Sequence, residues 1–296
     1  MRLKLKSHAK INLILEVLWR RQDGFHQIKT VLQELELHDT LFLEDVPGRK
    51  LELICDDPFL PVGEGNLAYR AARLMQSRYA PGRGVKIELK KRIPIAAGLG
   101  GGSSNAAAVL KGLNRLWDLS LSDDDLRALG ARLGSDVPFF ISGGTALATG
   151  RGEIIQPLPP FPWTKVLLVA VYGAKLSAAE VYSFLDLDKI PAVAATEQFI
   201  LLLEKGNKFG KDYYNELLPL IQNHLEPSVF CLHRGTASLK ENLQRKGLTA
   251  IVSGSGPTLF VPSRNDLFLH KLEKELSGKG YRAILTETVK KRYNRD

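Results

Sequence analysis

The chain has 296 residues, 44% of them apolar and 25% charged. That balance fits a globular protein with a substantial core, and no run is long enough to span a membrane. Lys and Arg exceed Asp and Glu by 41 − 32 = 9, which suits an anionic partner. No nucleic-acid-binding motif accompanies the charge, and the densest basic stretch, 290–295, is short and terminal, so polyphosphate small molecules are the expected anions and nucleic acid is not. Only Cys55 and Cys231 are present, which excludes a disulfide scaffold, and no Cys/His cluster has metal-binding spacing. The N-terminus alternates basic and apolar residues and lacks the apolar core of a signal peptide, so a cytoplasmic location is expected.

The first third reads as strands: Arg2 to Lys6 alternates, Ile11 to Leu18 is apolar, and Thr30 to Leu37 and Leu51 to Cys55 are strand-like. Asn66 to Tyr79 predicts a helix with Asn66 as its cap, and Gly84 to Ile93 another strand. A glycine-rich loop follows, then an amphipathic helix from Ser104 to Trp117. Ser122 caps a further helix whose first turn is acidic. Pro157, Pro159, Pro160 and Pro162 bar helix and central strand alike and mark a connection between domains. Beyond it, Thr164 to Val171 reads as a strand, and the chain is then mostly helical up to Leu248. Leu248 to Val252 and Thr258 to Val261 flank SGSGP as two strands about a tight turn. Asn265 to Leu276 predicts a helix and Tyr281 to Val289 a last strand. Strands and helices mixed in this way predict an α+β protein of two domains, 1–158 and 159–296.

Four segments carry candidate chemistry. Pro94-Ile-Ala-Ala-Gly98-Leu99-Gly100-Gly101-Gly102-Ser103-Ser104 leads into a helix, so free N–H groups and the positive end of the helix dipole converge where phosphates could sit. No Lys follows the glycines, which excludes a Walker A loop, and a third glycine is missing for a dinucleotide fingerprint. Lys10 and Asn12, two apart in a strand, share one face, with Ile11, Leu13 and Leu15 on the other; they are either a site pair or a solvent-facing pair on an edge strand. Asp136, beside the apolar run Val137 to Phe140, is either a partly desolvated base or the cap of a short helix at Pro138. Asp23-Gly24-Phe25-His26 is a turn with an aromatic and an imidazole at its exit.

Taken in order, SHAKINLILEV with RRQDGFH, PIAAGLGGGSSNAA, LGSDVPFF and SGSGPT resemble the GHMP family of small-molecule kinases over most of the chain. The AKINL, DGFH and GLGGGSSNA forms resemble its branch acting on a cytidine diphosphate derivative in the non-mevalonate isoprenoid route. The resemblance implies a ribosomal-S5-like N-terminal domain, a ferredoxin-like C-terminal domain and ligands in the cleft between them. It implies ATP as co-substrate with Mg²⁺, and phosphorylation of a tertiary 2-hydroxyl. Lys10 and Asp136 match the catalytic pair. Pro94, Gly98, Leu99, Gly100, Gly101, Gly102, Ser103 and Ser104 match the ATP loop, and Asn66 lies where relatives line the nucleotide pocket. Asn12, Phe25 and His26 match positions near the cytidylyl group, with Phe25 in place of a more usual Tyr, and Tyr182 matches an aromatic on its far side. Ser104 is the expected hydroxyl toward a metal. Lys175 to Glu180 departs from the usual Thr-containing form. The alternatives are a homoserine- or mevalonate-type GHMP kinase and a non-catalytic nucleotide-binding regulator on the same fold.

Overall fold

The computed structural model describes residues 1–190 and 195–289, which leaves the basic stretch 290–295 outside it. Two sheets share the chain. The first contains β1 (Arg2–Arg20), β2 (His26–Val46), β3 (Leu51–Cys55), β4 (Gly84–Lys90), β5 (Thr145–Thr149) and β6 (Ile154–Pro157). β7 (Lys165–Val171) opens the second; β8 (Gln222–Asn223) returns to the first; β9 (Ile251–Val252), β10 (Leu259–Ser263) and β11 (Tyr281–Glu287) complete the second. The strand orders are β3-β4-β2-β1-β8, with β5 on β2 and β6 on β5, and β11-β7-β10-β9.

β1 and β2 run far longer than the segments expected, as a 17-pair antiparallel ribbon interrupted by irregularities at His8/Ala9, Asn12/Ile14 and Val17/Trp19. Such bulges turn successive side chains to new faces. The one at Leu13 corrects the simple alternation expected there. Ile11, Leu13 and Ile14 enter the core shared with the second sheet, whereas Leu15 lines the same cavity as Lys10 and Asn12.

α1 (Leu67–Tyr79), α2 (Gly101–Leu116), α3 (Asp123–Leu133) and α4 (Val137–Ser142) bury Ala71, Val109, Leu126 and Phe139 with Leu41, Leu43, Ile87 and Leu89 of the first sheet. Local chemistry sets their ends. Asn66 Oδ1 accepts from Ala68 N at 3.0 Å, and Ser122 forms a reciprocal capping box with Asp125. α2 starts at Gly101, three residues before the expected Ser104, because Gly100 at φ +71° turns the chain and the glycines themselves form the first turn. Low helix propensity hid that turn from the sequence.

The proline-rich stretch links β6 to β7 and is packed rather than loose: Leu158 and Phe161 are buried, and their N–H groups donate to the Thr145 carbonyl and hydroxyl. α5 (Ala178–Ser183), α6 (Ala195–Phe209), α7 (Tyr214–Leu217), α8 (Glu226–Leu232), α9 (Arg234–Arg245) and α10 (Asp266–Gly278) follow. α8, α9 and α10 bury Val229, Leu239 and Leu269 against Leu167, Val169 and Val261 of the second sheet. A further core joins Val31 and Leu35 of β2 to Val166, Leu168 and Phe260 of the second sheet and Phe199 of α6. The two sheets are therefore held by common apolar burial, and the site lies along their seam.

Candidate active site

Lys10 sits mid-strand in β1. Its backbone N–H donates to the Leu99 carbonyl at 3.0 Å, which ties the glycine turn to the strand. Its side chain is 4% exposed; Nζ donates to Asn12 Oδ1 at 2.6 Å and stands 3.8 Å from Asp136 Oδ2. Asn12 Nδ2 donates to the Thr30 hydroxyl at 2.8 Å, and that hydroxyl donates to the Ile14 carbonyl. The edge-strand reading falls, since both residues are buried. Burial pushes the Lys10 ammonium pKa down, and the Asp136 carboxylate opposes that shift.

Asp136 occupies the cap position of α4, yet its side chain makes no capping hydrogen bond. The carboxylate turns toward Lys10 instead. With its side chain 38% exposed, it is less desolvated than its apolar neighbours implied.

The expected ATP loop divides in two. Gly98, Gly100 and Ser103 line a cavity of about 1180 Å³ together with Lys10, Asn12, Phe25, His26, Asp136 and Tyr182. Pro94, Leu99, Gly101, Gly102 and Ser104 do not line that cavity. Leu99 is core. Ser104 corrects the metal-hydroxyl expectation: it is buried, and its hydroxyl hydrogen-bonds to Ser7, so Ser103 is the loop hydroxyl that faces the cavity. Several glycines answer to the chain itself. At Gly98, φ +74°, a Cβ would lie 2.1 Å from the Ser253 carbonyl; at Gly101 it would meet Ile93 at 3.1 Å. The Ser253 hydroxyl also donates to the Gly98 carbonyl at 3.0 Å, so the SGSGP turn and the glycine loop brace each other. Asn66 stands apart: both ends of its amide are engaged internally, one on Ala68 N and one on the Pro61 carbonyl.

At the other end of the cavity, Asp23 shapes the turn by pairing with Arg21 and accepting from Phe25 N. The His26 and Tyr182 rings stack at 5.0 Å and 22°, and the Arg151 guanidinium lies 4.9 Å from the Phe25 ring centre. Of the two aromatics expected near the base, Tyr182 is thus closed on the imidazole and Phe25 is covered by Arg151. Burial, and then Arg20, hold the His26 pKa below its usual value; burial and then Asp136 raise that of Tyr182. Ser177, in the divergent segment, caps α5 through Glu180. Arg20, Arg151, Gly254 and Ser255 also line the cavity; Arg20 and the SGSGP turn lie in segments that carried the resemblance without being singled out as site residues, and Arg151 carries no local motif.

A helix start braced by a glycine turn, with a buried lysine and a carboxylate beside it, is the arrangement of an ATP-dependent small-molecule kinase. Residues 66–144 match the GHMP kinases N terminal domain and residues 209–278 the GHMP kinases C terminal. The 4-diphosphocytidyl-2-C-methyl-D-erythritol kinase of Bacillus cytotoxicus is 40% identical over 283 residues, 94% of each chain; that of Bacillus mycoides is 39% identical with the same coverage. A crystal structure of 4-(cytidine 5'-diphospho)-2C-methyl-D-erythritol kinase superposes with a TM-score of 0.78 at 32% identity, over 97% of this chain and 99% of that one. Homoserine kinase from Cytophaga hutchinsonii shares the fold, with a TM-score of 0.73 at 18% identity over 97% and 94% of the two chains. The chain belongs to the GHMP kinase family and, within it, to the 4-diphosphocytidyl-2-C-methyl-D-erythritol kinases. It is a phosphotransferase. Among the described residues no helix is long and apolar enough to cross a membrane.

Proposed function

We propose that this kinase transfers the γ-phosphoryl group of ATP to the 2-hydroxyl of 4-diphosphocytidyl-2-C-methyl-D-erythritol. The observation that carries the reading is the Lys10–Asp136 contact at 3.8 Å, placed between the glycine loop on one side and His26, Phe25 and Tyr182 on the other. A tertiary alcohol is a hindered nucleophile, so orientation dominates the rate. Asp136 accepts or orients the hydroxyl proton. Lys10 pairs with that carboxylate and offsets charge on the transferring group. The N–H groups at the start of α2 receive the phosphates. His26, whose pKa burial holds below its usual value, offers in its neutral form one donor and one acceptor to the cytosine edge. For the base to stack on Tyr182, that ring must part from the imidazole. Asn12 serves by fixing the Lys10 ammonium.

Mg²⁺ accompanies ATP in this reading. Among the described residues no group of three or more His, Cys, Asp or Glu side chains could hold a metal. The Ser103 hydroxyl and the Asp136 carboxylate, which both line the cavity, would be the protein oxygens to hold it beside the substrate phosphates. When bound it neutralises phosphate charge. We also take 1–158 and 159–296 as the two domains, a division supported by sheet membership, with β8 as the strand the second half lends to the first.

The test is ADP release from ATP with the cytidylyl substrate, homoserine, mevalonate or no acceptor. Release with the cytidylyl substrate alone is expected. Release with homoserine or mevalonate instead would move the chain to another GHMP branch, and no acceptor-dependent release at all would leave a nucleotide-binding regulator.

A further inference from the structure

The SGSGP turn presses on the reacting centre. An ideal Cβ at Gly254, φ +55°, would lie 3.0 Å from Lys10 Nζ and 3.2 Å from Asn12 Oδ1. Backbone this close to a buried ammonium must be held in place, because a shift of 1 Å changes where that charge sits. One side chain holds it at Gly254 itself. Asn223, 5% exposed, donates both amide hydrogens to this turn, to the Val252 carbonyl at 2.8 Å and the Gly254 carbonyl at 2.7 Å. Its own carbonyl accepts from Leu225 N at 2.9 Å. Its backbone pairs in parallel register with Leu15 of β1, the strand that carries Lys10 and Asn12. Glu226, three residues on, accepts from Val252 N at 2.9 Å and pairs with Lys240, which secures the root of the same turn.

We propose that Asn223 is a positioning residue for the phosphoryl transfer: it locks Gly254 against Lys10 and so fixes the ammonium relative to Asp136. The role demands an amide. Two donors must meet two carbonyls while an acceptor faces the start of α8, and only Asn at this length supplies all three. Aspartate is nearly the same shape but sets carboxylate oxygens against the two carbonyls, leaving both buried acceptors unpaired. Asn223 is not itself part of the cavity lining, so it acts on the site only through the turn it holds.

The inference rests on the function proposed above, and its test separates the two. In steady-state kinetics, Asn223→Asp is expected to lower kcat by roughly 10–10²-fold, with KM for the cytidylyl substrate within about twofold of the parent, the pattern of an interaction made only in the transition state. Leu243→Ala, a core truncation in α9, calibrates simple destabilisation and should leave kcat near the parent value at temperatures well below its Tm. Amide hydrogen exchange gives a readout independent of any acceptor: Asn223→Asp should speed exchange at Gly254, Ser255 and Gly256 while Leu239 and Leu243 stay protected. If Asn223→Asp does not accumulate as folded protein, Asn223→Ser, which keeps one donor, takes its place. Unchanged kcat, or a fall in kcat that Leu243→Ala reproduces at equal loss of Tm, overturns the proposal. Failure of the parent to phosphorylate the cytidylyl substrate overturns the substrate reading alone, and exchange at Gly254 still decides whether Asn223 holds the turn.

Discussion

Asp136 and Lys10 stand 3.8 Å apart at the seam of the two sheets, and side chains that close should act as a unit. Asp136→Asn is expected to lower kcat by roughly 10²–10⁴-fold, the range for a lost general base, with ATP affinity by calorimetry unchanged. Lys10→Ala should be similarly severe, and the double variant far milder than the product of the two. The glycines separate by what surrounds them. Gly101 has Ile93 and Lys91 Nζ within 3.3 Å of a Cβ, whereas Gly102 meets nothing nearer than Leu67 at 3.7 Å. Gly101→Val should therefore lower Tm as well as ATP affinity, while Gly102→Val keeps the fold and weakens ATP binding alone; equal Tm losses would contradict this division. At the base-binding end, a neutral imidazole paired to cytosine is left unpaired by uracil. His26→Ala should then narrow the ratio of cytidylyl to uridylyl catalytic efficiencies, and an unchanged ratio would remove His26 from base recognition.

Helix ends show how local sequence sets an element. The Ser122–Asp125 capping box satisfies two N–H groups at the start of α3, on the exposed side of the fold and outside the cavity lining. Ser122→Ala should cost about 0.5–2 kcal/mol in chemical denaturation and leave kcat untouched. α6 is held differently. Its first N–H groups, at Ala195 and Thr196, donate to the buried carboxylate of Glu16 on β1, 179 and 180 residues away, and the Thr196 hydroxyl donates to it as well. No sequence window spans that contact. Asn66, by contrast, is a cap as expected, its amide accepting from Ala68 N and donating to the Pro61 carbonyl.

Stability of the whole molecule is tied to pH through imidazoles whose pKa burial lowers. His224, 9% exposed, accepts from Val17 N, and burial lowers its pKa from 6.5 while the charge of Glu16 opposes the shift. His26 is lowered too. A depressed folded value means the unfolded chain binds more protons just below 6.5, so the contribution is present above that pH and is lost as pH falls through the folded value. Tm should drop between pH 7 and pH 5, and His224→Gln, which retains an acceptor for Val17 N, should flatten the drop. A parent Tm constant over that range would exclude the effect. Truncating the fully buried Phe139, which packs edge-on against Phe140 beneath α2, should cost about 3–5 kcal/mol.

Periodicity and caps, which act within a few residues, were enough to predict α1, α3, α10, β3, β4 and β7 and the connection at Pro157 to Pro162. The glycine loop and the turn at Asp23-Gly24 were equally legible, because positive φ and close backbone approach leave a compositional mark. The resemblance to GHMP kinases rested on the same short segments. Distance in sequence hid the rest. β5, β6 and β8 are too short to show a period, and the bulge at Leu13 that turns Leu15 into the cavity arises only from pairing with β2. Whether Asp136 caps a helix or faces Lys10, 126 residues earlier, is decided by how α4 docks on β1, and whether Ser103 or Ser104 meets the cavity by the phase of α2. Lys10 is an active-site candidate rather than a surface lysine because the second sheet and the SGSGP turn close over it, and that burial belongs to the assembled molecule rather than to any stretch of the chain.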